Sequence, residues 1–270
     1  MNGPELLATH AGILRTRVGA CWPGTRAVFR GHDLHRDLHN ADWLELYLFG
    51  ITGRRFTPQQ VKLLHGIWVL TSYPDARIWN NRVAALAGSS RSSPVLGLSA
   101  ALAVSEARIY GGGPGLRAID FFQRAGKAVA SGQTLRDFIA GELKSRHIYG
   151  YGRPIDSCDE RLPWLADLAR EQGLDQGPHF KMAHEVETIL LEMGKTNLHM
   201  NYAGMTAALG ADLGLTPREF HLFRVPMFLA GMPPCWVEAT EKPAGTLFPI
   251  PCEKIAYEGV PTRLWQGRIA

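Results

Sequence analysis

Three glycine-bearing breaks, Tyr110–Gly115, Ile148–Asp156 and Asn197–Gly204, interrupt a chain that otherwise reads as helix over most of its length. Glycine weakens a helix interior and proline cannot sit in one, so each break forces a joint between a loop and a helix. The helix that follows such a joint presents unpaired N–H groups and a partial positive charge, and glycine lets a ligand approach the backbone. Three joints of this kind in one helical chain point to a pocket for an anionic ligand. Taken singly, each joint also reads as plain turn punctuation.

The segments between the breaks carry helix signals. Asp42 can cap a helix from Trp43 to Phe49, and Thr57-Pro58 is a cap followed by proline at the first helical position. The helix that Thr57 starts carries Val61, Leu64, Ile67 and Trp68 at helical spacing. Residues 80–88 and 93–105 mix Ala, Leu and Val with small residues, which suits closely packed helices. Helical patterns resume at Leu116–Ala130, at Leu135–Leu143 behind Thr134, at Leu162–Gln172, at His179–Met193 and from Tyr202 to Leu213. Thr216-Pro217 starts another. Residues 231–262 are proline-rich and read as an extended, irregular tail, and Pro249 excludes a central strand there. The predicted class is all-α.

Composition limits the function classes. At 270 residues the chain makes one or two domains, and 46% apolar residues suffice for a substantial core. The net charge of +4 is spread along the sequence, so no basic stripe for nucleic acid is expected. The same charge suits a CoA thioester, or simply a solvated basic surface. Cys21, Cys158, Cys235 and Cys252 form no C-x-x-C pair, so neither structural zinc nor a disulfide framework is expected. No apolar run reaches the ~20 residues of a membrane span, and Met1–Glu5 opens no signal core. The expected location is cytoplasmic, with no membrane partner. Nucleophile-elbow and Walker motifs are absent, and the glycines at 111–115 lack the strand context of a dinucleotide fingerprint.

Four stretches, in order, resemble the citrate synthase and citryl-CoA lyase superfamily. They are Phe29-Arg30-Gly31-His32-Asp33-Leu34 with Trp43–Gly50; Arg82–Ser90 with Tyr110-Gly111-Gly112-Gly113; Gly150-Tyr151-Gly152-Arg153; and Asn201-Tyr202-Ala203-Gly204 with Ala230-Gly231, Cys235-Trp236 and Tyr257–Pro261. The resemblance implies a two-domain helical dimer. A small domain, 115–215, would be inserted into a large domain made of 1–114 and 216–270, with the active-site cleft between them. It also implies that the family's chemical groups are replaced here. Tyr110 matches a histidine that helps stabilise an acyl-CoA enol, Arg153 a histidine that polarises a carbonyl, and Ala203 the aspartate that removes the α-proton. Tyr73 falls in the segment that matches an alanine-aspartate-histidine, Phe228 matches a carboxylate-binding arginine, and Cys235 a histidine.

These replacements have consequences. Alanine accepts no proton, and arginine stabilises an oxyanion without shuttling protons at neutral pH. The expectation is an enzyme acting on an acyl-CoA or similar thioester, making or breaking a C–C bond next to the carbonyl, without forming citrate. The competing expectation is a catalytically silent homologue that binds a ligand or a partner subunit. The candidate catalytic residues are Arg153, Tyr110, His199 and Asn201, and the candidate substrate-binding residues are Gly111, Gly112, Gly152, Ala203 and Phe228. Arg153 is expected to dominate anion binding as the sole cation at its joint. No metal and no tightly bound cofactor are expected; a CoA thioester would be the substrate. His147 flanks the second joint, and Asp156 and Asp159 read as turn or cap residues. His32 and His35 read as structural, and His184, Glu185 and Glu187 have no convincing metal spacing. A homodimer is expected through the small-residue helices 80–105.

Overall fold

The computed structural model describes residues 2–145, 147–155, 158–261 and 263; Asp156 lies outside them. Twelve α-helices are present among the described residues: α1 (Gly3–His10), α2 (Trp43–Thr52), α3 (Pro58–Thr71), α4 (Trp79–Ser89), α5 (Pro94–Val104), α6 (Gly112–Ala130), α7 (Leu135–Ser145), α8 (Leu162–Glu171), α9 (Pro178–Glu192), α10 (Tyr202–Asp212), α11 (Pro217–Arg224) and α12 (Met232–Glu241). The caps read from sequence form as expected. Asp42 accepts from the N–H groups of Leu44 and Glu45, and Thr57 and Thr216 each complete a reciprocal capping box.

The core is built around α10. From Tyr202 to Ala211 nearly every residue is buried, which fits a helix of small and apolar residues on all faces. Helices α6 and α9 pack against it, and α11 packs against α6. Phe122, Ile119, Leu190, Phe220 and Phe223 fill the gaps without solvent contact, each contributing about 1.5–3 kcal/mol of burial. A second layer packs α4 against α5 and α12. Gly88 lies against the backbone of Trp236 and Gly97 against the Trp236 ring, so the small residues bring these axes close.

The structure departs from the sequence reading in three places. A three-stranded antiparallel sheet, β1 (Gly19–Trp22), β2 (Arg26–Phe29) and β3 (His32–Asp33), sits near the N-terminus, with Gly19 opposite Phe29 and Val28 opposite Asp33. Strands of four residues or fewer are too short to show an alternation. Helix α6 begins at Gly112, so Gly112–Gly115 form its first turn rather than a break. First-turn N–H groups need no intrahelical partner, so proline and glycine are tolerated there. The proline-rich tail opens with α12, whose Pro233 and Pro234 occupy its first turn for the same reason.

Candidate active site

The second and third joints are stitched together by backbone. Gly152 N–H donates to the His199 carbonyl at 2.7 Å, and Asn201 N–H donates to the Gly150 carbonyl at 2.9 Å. Asn201 then uses its whole side chain: Nδ2 donates to the Gly152 carbonyl at 2.7 Å, and Oδ1 accepts from Gly204 N–H as the cap of α10. Gly150 has φ of 98°, and a Cβ there would come within 2.7 Å of the Gly204 Cα, so both positions need glycine. Glu187 on α9 accepts from Met200 N–H at 2.9 Å and faces His199 Nδ1 at 3.2 Å, tying the joint to its neighbouring helix.

The first joint faces the other two. Gly111, at φ 75°, turns the chain into α6, and its carbonyl accepts from Arg224 Nη2 at 3.0 Å. All three joints open on one cleft of about 480 Å³. Tyr110, Gly111, Gly152, Arg153, Asn201, Ala203 and Phe228 line it together.

The remaining expected residues lie elsewhere. His199 lines an adjoining recess of about 550 Å³ with Arg153, Cys158 and Thr196. Gly112 lines another, of about 350 Å³, with Ser105, Glu106, His221 and Arg224. His147 belongs to a third recess, beside Arg108, Arg117 and Arg124.

Arg153, the sole cation of its joint, shares the cleft with Arg77, Arg161 and Arg224. Arg77 pairs with Asp75 at 2.6 Å. Arg153 Nη1 donates to the Cys158 carbonyl at 2.7 Å and to Glu160 Oε2 at 2.9 Å, and Tyr73 donates its hydroxyl to the other Glu160 oxygen at 2.8 Å. The Arg161 guanidinium lies between the rings of Tyr73, at 5.4 Å, and Tyr202, at 4.3 Å. It donates to both oxygens of Asp159 at 2.8 Å. Asp159 also accepts from Tyr202 N–H, the first of α10, at 2.9 Å. Burial, the largest influence, would raise the Asp159 carboxyl, but the Arg161 fork and charge together with the Tyr202 and Arg161 N–H groups outweigh it and hold the group below its ordinary value. Asp159 is a turn residue, its Oδ1 accepting from Arg161 N–H at 3.3 Å and its carbonyl from Leu162 N–H at 3.1 Å, and it is also the anchor of an ion pair, which the sequence did not show.

Arg224 is the unusual cation. Its residue is 4% exposed, and its Nε and Nη1 have no hydrogen-bond partner. Burial pulls its pKa down to about 10. The Tyr110 hydroxyl donates to Asn80 Oδ1 at 3.0 Å, and burial pushes it up to about 12, so it stays protonated and serves as a donor. Among the described residues lining the cleft there is no histidine, and the one carboxylate is Asp159.

Sequence reasoning missed Arg161 and Arg224. An arginine in the last turn of a helix reads as a solvent-facing partner of the helix dipole, so Arg224 gave no sign of its burial. Arg161, two residues after Asp159, carried a faint signal, since that spacing allows the carboxylate to accept from the guanidinium.

A helical chain with its cleft at three glycine joints has the fold of the citryl-CoA lyases, ATP citrate lyases and citrate synthases. Citryl-CoA lyase from Hydrogenobacter thermophilus superposes with a TM-score of 0.81 at 21% identity, covering 94% of this chain and 98% of that one. ATP citrate lyase from Methanothrix soehngenii, solved with citrate and coenzyme A, gives 0.70 at 19% identity, over 97% of this chain and 45% of that one. Citrate synthase from Thermotoga maritima MSB8 gives 0.63 at 16%, over 83% and 59%. At these identities the likeness establishes the fold. The sequence itself matches the citrate synthase C-terminal domain family over residues 13–241, and the chain belongs to that family. No curated protein sequence matches it. Among the described residues no helix is long and apolar enough to cross a membrane.

Proposed function

We propose that this protein acts on an acyl-CoA or similar thioester, making or breaking a C–C bond next to the carbonyl, with a substrate other than citrate. One observation carries the reading: the three joints, Tyr110 and four arginines, of which Arg224 is buried, converge on a single cleft. Such a cleft favours negative charge as it develops. The protonated Tyr110 hydroxyl and the arginines offer donors to a thioester enolate in a partly desolvated space, where fixed donors act most strongly. The 1–114 plus 216–270 and 115–215 bodies close over the ligand in this proposal, with the glycine joints absorbing the rotation. Tyr73 on one body and Glu160 on the other would hold the closed form through their hydrogen bond.

The silent-homologue reading has an observation of its own. Both Asp159 oxygens are engaged and Tyr110 stays protonated at neutral pH, so no described lining residue is poised to take an α-proton. Incubating the protein with acetyl-CoA in deuterium oxide separates the two readings. Exchange of the acetyl protons, followed by proton NMR, supports thioester activation. Saturable CoA binding without exchange or acyl cleavage, across a panel of acyl-CoAs, supports the silent homologue.

A further inference from the structure

The charge pattern of the cleft restricts what its ligand can be. Four arginines line it. Three already have a carboxylate of their own: Arg77 has Asp75, Arg153 has Glu160 and Arg161 has Asp159. Arg224 has none within ion-pair distance among the described residues. The acid that bears on it electrostatically, Glu106, is more than half exposed in the adjoining recess and lies 3.3 Å from His221 Nε2. His221 Nδ1 is likewise buried without a partner.

The Arg224 guanidinium lies over the rings of Phe220, at 5.5 Å, and Phe228, at 6.0 Å, but a buried cation with two idle nitrogens is still costly, and its position makes it more so. Arg224 packs against Gly115, where any Cβ would overlap the guanidinium, so the charge lies beside the first turn of α6. A helix N-terminus repels a cation and attracts an anion. The remaining lining is apolar or aromatic over much of its extent, with Ile78, Trp79, Ile109, Met227 and Phe228.

We infer that the ligand's acyl part carries one carboxylate, held by Arg224, on a largely apolar body, rather than the several carboxylates of a citrate-like acid. A second or third carboxylate would have to displace Asp75, Asp159 or Glu160 from its arginine or remain unpaired. The apolar walls would then face charge instead of hydrocarbon. This inference rests on the proposed thioester reading for the phrase "acyl part", and its test does not.

The test compares octanoate, octanamide and citrate by calorimetry on the full chain, with CoA titrated separately. Octanoate is expected to bind at least about tenfold more tightly than octanamide, the scale of one charge-assisted contact, and more tightly than citrate. Arg224→Met should abolish the preference for octanoate over octanamide and leave CoA binding unchanged. Its melting temperature should hold or rise, because an unpaired buried charge is removed; a purely structural arginine would give a fall. Citrate binding as tightly as octanoate in the wild type overturns the inference, whatever the variant does. So does an Arg224→Met protein that still prefers octanoate. Failure of CoA to bind the wild type counts against the thioester reading alone, since the octanoate comparison is made without CoA.

Discussion

Asp159 and Arg161 form a buried pair whose two members depend on each other. The Asp159 side chain has no solvent exposure, and Arg161 has nowhere to turn between Tyr73 and Tyr202. Asp159→Asn is expected to destabilise the protein by about 3–5 kcal/mol, because it leaves the guanidinium buried and uncompensated. Urea melts measure this. The pH dependence follows from the lowered carboxyl. Its contribution is complete above the unfolded-chain value of ~3.9 and disappears as pH falls through the lower folded value. The stability gap between wild type and variant should therefore close only in strong acid. Ala203 makes a different point. The wild type is expected to release no free CoA from acetyl-CoA and oxaloacetate, since loss of a general base alone costs ~100- to 10,000-fold. Ala203→Asp should not restore the reaction, because Phe228 and the Asp159-bound Arg161 still offer no site for a dicarboxylate. Turnover in the ordinary range of ~1–1,000 per second by either protein would refute this.

Helix α10 is where fold and site meet, since its first turn carries Ala203 and its Gly204 touches Gly150. A Cβ at Gly204 would overlap the Gly150 carbonyl. Gly204→Ala is expected to cost about 1–3 kcal/mol as the two joints are forced apart, and to weaken whatever ligand response the wild type shows; thermal melts with and without CoA measure both effects. The glycines, caps and prolines that set these elements were legible in sequence because their signals are local. Asp42, Thr57 and Thr216 each announce a helix within four residues. Short β1 to β3 and the helical start of the proline-rich tail were not legible, since tertiary packing selects them. The site divided the same way. The joints were legible from their glycines and the residues at them from the family resemblance, whereas Asp159 with Arg161 and the buried Arg224 depend on chain segments more than 40 residues apart. Glu187 was set aside as a metal ligand, yet its role as a brace for the third joint depends on how α9 lies beside it.

At the scale of the whole molecule, the layer of α4, α5 and α12 leaves apolar side chains in water. Val95 is 73% and Leu96 67% exposed at the start of α5, and Leu86 on α4 is also exposed. We propose that this face closes against a second copy, as the close-packing small residues of α4 and α5 suggest. Light scattering at micromolar concentration is expected to give twice the 29.8 kDa of the chain; a mass near the single chain would refute the dimer. Trp79 stands at the edge of the cleft, 44% exposed and with its ring 5.1 Å from Tyr110. The indole therefore reports on the space beside it. Filling the cleft strips water from that ring, so emission excited at long wavelength should shift to the blue with ligand concentration. Trp79→Phe should silence the change while the other indoles, Trp68 and Trp43 among them, keep glowing. The protein thus carries its own optical gauge of occupancy, readable before any substrate has been named.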